Sequence, residues 1–186
     1  MEMENEQLFN HENELENNQY LIEQIPYQDQ ESPEFNQYLN SREIVSADQR
    51  SFNEKTNSKI IYSHWHTPCH DIIIRDKDGF SQILHVQPTQ PSYTLLSPNQ
   101  VEALNESGRS NSSAIVVKGL RSRFIEPDEQ EILDAGLNLE RIMPVDANNW
   151  RLLYDPTNNE IWVDTKDTKT LYKYLGFNAE VPDKNK

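Results

Sequence analysis

Apolar positions along the second two-thirds of the chain gather in short runs bounded by turn residues, a pattern of strands rather than of long helices. KIIYS, 59–63, reads as the first strand and opens the folded unit near Ser58. IIIR and SQILHV follow on either side of Asp-Lys-Asp-Gly and predict a hairpin of strands 70–76 and 80–87, with Gly79 at a positive-φ turn position. A three-residue loop, 77–79, sets Asp76 opposite Phe80 and therefore Asp71 opposite His85. Cys69 and His85 then share a face and lie diagonal to each other, within roughly 8 Å at the backbone. A four-residue loop would send them to opposite faces.

Residues 88–99 carry three prolines and read as loop, with a short helix opening over 97–105 and Pro98 at its first position. The run NESGRSNSS, 105–113, is flexible by composition, and AIVVKG, 114–119, is an apolar strand. A helix is expected over 127–135, acidic in its first turn and followed by Gly136. ERIMPV, 140–145, is the next strand, and WRLLYDPTNNEIWVD gives two more around a turn at 155–160. A closing helix over 168–175 precedes Gly176, and the tail 181–186 is expected to fray. Several short strands with few helices between them indicate an α+β, sheet-rich sandwich.

The N-terminal part has a different character. Its first thirty residues hold eight acidic side chains and no Lys or Arg. Leu8, Phe9, Leu15, Tyr20, Leu21, Ile22 and Ile25 are spaced as in a weak amphipathic helix that Pro26 would end. The polar excess indicates that 1–57 is an acidic extension, mobile or loosely docked on a domain spanning 58–180. The net charge of −14 argues against nucleic-acid binding, which needs a basic face. No 18-residue apolar run is present, so no membrane span is expected. The acidic start MEMENEQLFNHENE is unlike a secretory signal, which points to a cytoplasmic protein or an effector delivered without a conventional signal peptide.

Reactive side chains concentrate between Ser63 and Pro88, where the only cysteine, Cys69, stands with four of the five histidines. A thiol attacks as the thiolate, and a neighbouring imidazole lowers its pKa and stores its proton. Cys69 and His85 supply that pair; Ser63, Asp71 and Gln87 are candidates for the group that orients the histidine. By residue type alone, a single cysteine beside a strand is a small buried side chain. His64 and His66, with Cys69 and His70, have ligand types that suit zinc, and in a regular strand His64 and His66 share a face. Pro68 bends that path and the spacing is not that of a structural zinc site, so no metal and no cofactor are expected. His70 alternates away from Cys69. Trp150, Tyr154 and Trp162 read as core or cross-strand packing, and Arg121 and Arg123 as solvated.

The segment TPCHDIIIRDKDG, with His85 beyond it, resembles the cysteine-to-histidine segment of the CheD-type deamidase superfamily. That group includes the chemoreceptor glutamine deamidases and toxins of the cytotoxic necrotizing factor kind. The same segment is similar to the surroundings of the nucleophile in protein N-terminal asparagine amidohydrolase. RLLYDPTNNEIWV, 151–163, resembles the closing hairpin of the chemoreceptor deamidases. The resemblance implies a two-layer sandwich and a cysteine-dependent amidohydrolase acting on a protein substrate, glutamine first and asparagine second. Carried over by position, it implies Cys69 as nucleophile, His85 as base and Ser63 as the hydroxyl that orients the histidine. Two departures are Pro68, where a small residue is usual, and Ser63 in place of threonine.

Overall fold

The computed structural model describes residues 19–48, 52–67, 69–87, 96–120 and 126–178, the side chains of 126–128 excepted. Among the described residues it is an α+β protein whose ten strands form two mixed sheets. The first sheet has six strands: β1 (Leu21–Pro26), β2 (Ile44–Ala47), β3 (Ile60–His66), β8 (Trp150–Asp155), β9 (Glu160–Thr165) and β10 (Thr170–Leu175). Their spatial order is β1-β10-β9-β8-β3-β2. The second has β4 (His70–Arg75), β5 (Ser81–Val86), β6 (Ser113–Gly119) and β7 (Asn138–Val145), in the order β5-β4-β6-β7. Only β2–β3 and β6–β7 pair in parallel.

Strand periodicity divides the apolar side chains among three cores. Ile61, Leu152, Tyr154, Ile161 and Val163 of the first sheet meet Ile73, Ile83, Ile115 and Val117 of the second between the two sheets. The odd-even alternation sends Ile60, Tyr62 and Leu153 to the far side of the first sheet, under Phe35 of α1 (Pro33–Asn40). Ile72, Ile74, Leu84 and Val116 face the opposite way, under Ala103 and Leu104 of α2 (Pro98–Arg109) and Ile132 of α3 (Glu126–Asp134). Both faces of β4 and β6 are therefore covered, which is why their sequences are nearly continuous apolar runs. The expected sandwich is present, with helices over both outer faces.

The first hairpin has the anticipated register. The Asp76 amide donates to the Phe80 carbonyl, Gly79 sits at φ 85°, and Asp71 stands opposite His85. Asp76 Oδ1 also accepts from the Asp78 and Phe80 amides, which fixes the loop at three residues. The strands 59–63, 114–119, 140–145 and the pair around 155–160 form, with Asn159 at φ 56° closing the second hairpin. Helix α2 starts where Pro98 predicts, with a capping box between Ser97 and Gln100.

Four expectations are corrected. The helix expected through residue 25 is strand β1 among the described residues, and the helix expected over 168–175 is strand β10. The two pair with each other, Glu23 opposite Lys173 and Pro26 at the end of an edge strand where its missing N–H is tolerated. Residues 21–47 therefore supply two strands and a helix to the sandwich, so the boundary at 57/58 is not a boundary of the sheets. The chain after β2 stays attached as well: Phe52 and Thr56 bridge to Leu84 and Ser81, and Asn53 Oδ1 accepts from the Ile83 amide. Helix α1 has the local signals of a Ser32 N-cap, Pro33 at the first position and Glu34 in the first turn. Finally, α2 runs through the stretch read as flexible. Gly108 lies so close to α3 that a Cβ there would come within 1.7 Å of the Ala135 carbonyl oxygen, and buried Ser107 accepts from Gln82. The small polar residues serve a close approach. Residues 1–18, the prolines of 88–95 and the tail 181–186 lie outside the described residues.

Candidate active site

Asp71 and His85 are cross-strand neighbours on the inner face of the second sheet, and Ser63 faces them from β3 of the first. The sandwich thus brings two sheets' polar side chains together at one end of its core. All three are fully buried. Ser63 Oγ lies 3.0 Å from Asp71 Oδ1 and 3.1 Å from His85 Nδ1. Cys69, just ahead of β4, is buried at 1% exposure beside them.

A fourth member comes from an irregularity. Ser63 pairs with Leu152 but His66 pairs with Trp150, so β3 carries one extra residue between them. This bulge turns His64 out to solvent and brings His66 inward beside Ser63, against the expectation that His64 and His66 share a face. His66 Nε2 is 3.1 Å from Ser63 Oγ. Its ring is stacked between His85, at 4.1 Å and 26°, and Trp150, at 4.0 Å and 16°. Gly119 makes room for that stack, because a Cβ there would fall 2.3 Å from Trp150 Nε1.

With Asp71 as the carboxylate, counting donors and acceptors assigns the ring tautomers. A serine hydroxyl donates once and accepts twice. Ser63 donates to Asp71 Oδ1, so it accepts from His85 Nδ1–H and from His66 Nε2–H. His85 Nε2 and His66 Nδ1 then carry the lone pairs, and these are the ring nitrogens of the two histidines without a hydrogen-bond partner among the described residues. One nitrogen of each ring and Cys69 Sγ lie within 4.8 Å of one another. No hydrogen bond joins Sγ to His85 Nε2 in this arrangement.

Burial sets the charge states. It lowers His66 to about 3, with His64 adding to the shift, and lowers His85 to about 4 against the pull of Asp71 and of the Ala47 backbone. It raises Asp71 to about 7, against His85 and the Ser63 hydrogen bond. Asp71 Oδ2 is 3.0 Å from His66 Nε2, close enough to favour an ion pair. Both groups are fully buried, and the loss of hydration outweighs that attraction, so the histidine is neutral. Cys69 is raised to about 11, by burial and then by Asp71, while a hydrogen bond with the Thr67 backbone opposes the rise. The sequence leads one to expect a thiol acidified by histidine. The resting pair is instead a neutral thiol beside a neutral imidazole.

Other candidates separate from this centre. Gln87 is half-buried beyond β5 and takes no part in the hydrogen bonds around Ser63. Of the zinc-type quartet, His64 is exposed against the edge of Tyr62, and His70 is buried on the face opposite Asp71. Trp150 and Tyr154 are core residues, and Trp162 stacks on Tyr38. Arg121, Arg123 and Pro68 lie outside the described residues. Two contributors are not placed by the sequence: His66, which reads there only as a zinc-type ligand and is brought beside Ser63 by the bulge, and Gln100, whose Nε2 donates to the His85 carbonyl. The capping-box position of Gln100 was the available signal. Among the described residues no helix is long and apolar enough to cross a membrane. No protein-family model matches the chain, and no curated protein matches it.

Proposed function

We propose that the protein is a cysteine-dependent amidohydrolase that deamidates glutamine side chains of a protein substrate. Cys69 is the nucleophile, His85 the general base and acid, and Ser63 the residue that orients His85. The observation that carries this reading is the Ser63–His85 hydrogen bond at Nδ1, with His85 Nε2 left without a hydrogen-bond partner among the described residues and a ring nitrogen of His85 within 4.8 Å of Cys69 Sγ. An orienting group on one nitrogen and a nucleophile near the other is the arrangement that cysteine and serine hydrolases require.

With thiol and imidazole both neutral, proton transfer accompanies attack rather than preceding it. His85 Nε2 takes the Cys69 proton as sulfur adds to the carboxamide carbon. Asp71 and the Ala47 backbone both favour the imidazolium that forms. His85 then protonates the departing nitrogen, ammonia leaves, and a thioester remains. A water molecule gives His85 a proton as its oxygen attacks the thioester; the carboxylic acid product leaves and sulfur regains the proton from His85. The balance is carboxamide plus water to carboxylic acid plus ammonia, which ionise in water to carboxylate and ammonium. An amine in place of water would give transglutamination, and asparagine is the second substrate class.

A second reading, a catalytically silent binding module, is favoured by one observation: Cys69 is 1% exposed and its thiol is pushed up to about 11. Peptide mass spectrometry of a proteome incubated with the wild-type or the Cys69→Ala chain separates the two. Conversion of Gln to Glu at defined sites, dependent on Cys69, supports the hydrolase and identifies its substrate. No Cys69-dependent conversion, together with His85→Ala leaving thiol alkylation unchanged, selects the binding module.

A further inference from the structure

One base is enough for the chemistry above, yet the centre holds two lone-pair nitrogens. His85 Nε2 has a use as the proton acceptor. His66 Nδ1 has none, and it is buried without a hydrogen-bond partner among the described residues. A buried polar atom left unpaired is costly, and native proteins rarely retain one without a reason. The ring carrying it is held more firmly than any other in the site, between His85 and Trp150 and by Ser63 on its far nitrogen.

We infer that His66, His85 and Cys69 form a binding site for a soft divalent metal ion, Zn2+ in the first instance, with an open fourth position. Three observations converge on it. Sγ and one nitrogen of each ring already lie within 4.8 Å of one another. Tetrahedral zinc with two nitrogens and one sulfur holds its donors roughly 3.3–3.6 Å apart, so completing the set draws the donors together by about 1 Å and turns the stacked rings toward a common point. The donor types, two neutral imidazoles and a thiol, are those that zinc selects over calcium or magnesium. The outer shell is also present: Ser63 accepts from the second N–H of both rings and passes its own proton to Asp71. Metal-bound histidines are held in this way, and the hold fixes which nitrogen faces the ion. The ligands differ from the quartet that sequence spacing suggests, because the β3 bulge keeps His66 and leaves His64 outside, and the hairpin replaces His70 by His85.

The site does not depend on the amide chemistry, since metal binding needs no substrate. Where that chemistry also holds, the two compete: a metal-bound thiolate is not free to attack, and a metal-bound His85 cannot take a proton. Zinc is then a reversible inhibitor of the hydrolase.

The test uses the full chain freed of metal with a chelator and titrated with Co2+ as a spectroscopic stand-in for Zn2+. One equivalent should bind, with a thiolate-to-cobalt charge-transfer band in the near ultraviolet and the strong visible absorption of four-coordinate cobalt, both erased by added Zn2+. Cys69→Ser should remove the charge-transfer band, and Ser63→Ala should weaken binding by roughly 10–100-fold. His64→Asn should leave the titration unchanged. Zn2+ should also shield Cys69 from iodoacetamide in the wild-type chain, and a chelator should restore alkylation; this readout needs no variant to fold. Absence of a saturable spectrum, a charge-transfer band that survives Cys69→Ser, or binding lost in His64→Asn would each overturn the assignment. A chain that binds metal through Cys69 but deamidates nothing retires the hydrolase reading alone. A chain that deamidates without binding metal retires this one alone.

Discussion

Ser63→Ala removes a few atoms from the centre of the site and tests the whole hydrogen-bond assignment. The hydroxyl serves three buried partners, so its loss leaves His85 Nδ1–H, His66 Nε2–H and Asp71 Oδ1 without it. His66 Nε2 already lies 3.0 Å from Asp71 Oδ2 and can re-pair by a small rotation. One to two groups then stay unsatisfied, at about 1–3 kcal/mol each, giving a net destabilisation of about 2–4 kcal/mol. For a chain of this size that lowers Tm by roughly 4–16 °C, a loss a domain of ordinary stability survives. The functional effect is separate. Without an acceptor at Nδ1 the imidazole of His85 is free to carry its proton on Nε2, where it cannot act as base, and hydrolysis should fall by about 10²–10⁴-fold. Histidine 15N NMR reads the tautomers directly: Nδ1–H for His85 and Nε2–H for His66 in the wild type, with a mixture at His85 in Ser63→Ala. Ser63→Thr keeps the hydroxyl and should restore the tautomer, while its added methyl in a filled site costs about 1–3 kcal/mol. Wild-type His85 found as the Nε2–H form would refute the assignment and the mechanism built on it, whatever the stability change.

Two further outcomes follow from the same packing. Gly119→Ala places a Cβ against Trp150 and the Ala147 carbonyl, so it should cost roughly 1–3 kcal/mol and loosen the Trp150–His66–His85 stack, seen as lost near-ultraviolet circular dichroism and a lower urea midpoint. An unchanged midpoint would mean that Trp150 is not held as described. Acid should destabilise the fold steeply: His66, His70 and His85 stay neutral, so between pH 6.5 and about 4 the unfolded chain takes up three protons that the native state refuses, while native Asp71, at about 7, keeps one that the unfolded chain loses. The net difference of two protons predicts a fall of about 3 kcal/mol per pH unit through that window, and Asp71→Asn, which removes the opposing proton, should steepen it. A flat urea midpoint over the same range would mean that the histidines are charged in the native state.

What was legible in the sequence was whatever a single hairpin decides. Asp76 to Gly79 fixes a three-residue loop, the loop fixes the parity, and parity alone puts His85 opposite Asp71 on the face of the core. Ser63 is one of three candidates for the orienting group, with Asp71 and Gln87, and no local pattern could choose among them, since Ser63 arrives from the other sheet. The misread elements share one cause. TLYKYL and LIEQIP are ambiguous in period when taken singly, and each becomes a strand because the other is there to pair with it. Gly108 looked like slack and is a close contact with Ala135, a fact held in α3 and not in the run around the glycine.

The β3 bulge is the sharpest case, because one extra residue sends His66 into the core and leaves His64 at the surface where a regular strand would put both on one face, and no local residue type announces it. The same limit explains the thiol. The neighbouring histidine is visible in the sequence and argues for a lowered pKa; the burial that raises Cys69 to about 11 is supplied by elements far away along the chain. Chemistry at this centre therefore turns on what the approach of a substrate does to that burial. Any contact that brings Sγ onto the free His85 Nε2, or places a dipole where charge develops on the carboxamide oxygen, acts on a proton transfer that the resting site holds back. Under the proposed hydrolase reading, the nucleophile would be switched on by its substrate rather than kept as a standing thiolate, and the buried sulfur would be shielded from adventitious alkylation and oxidation until an amide is in place.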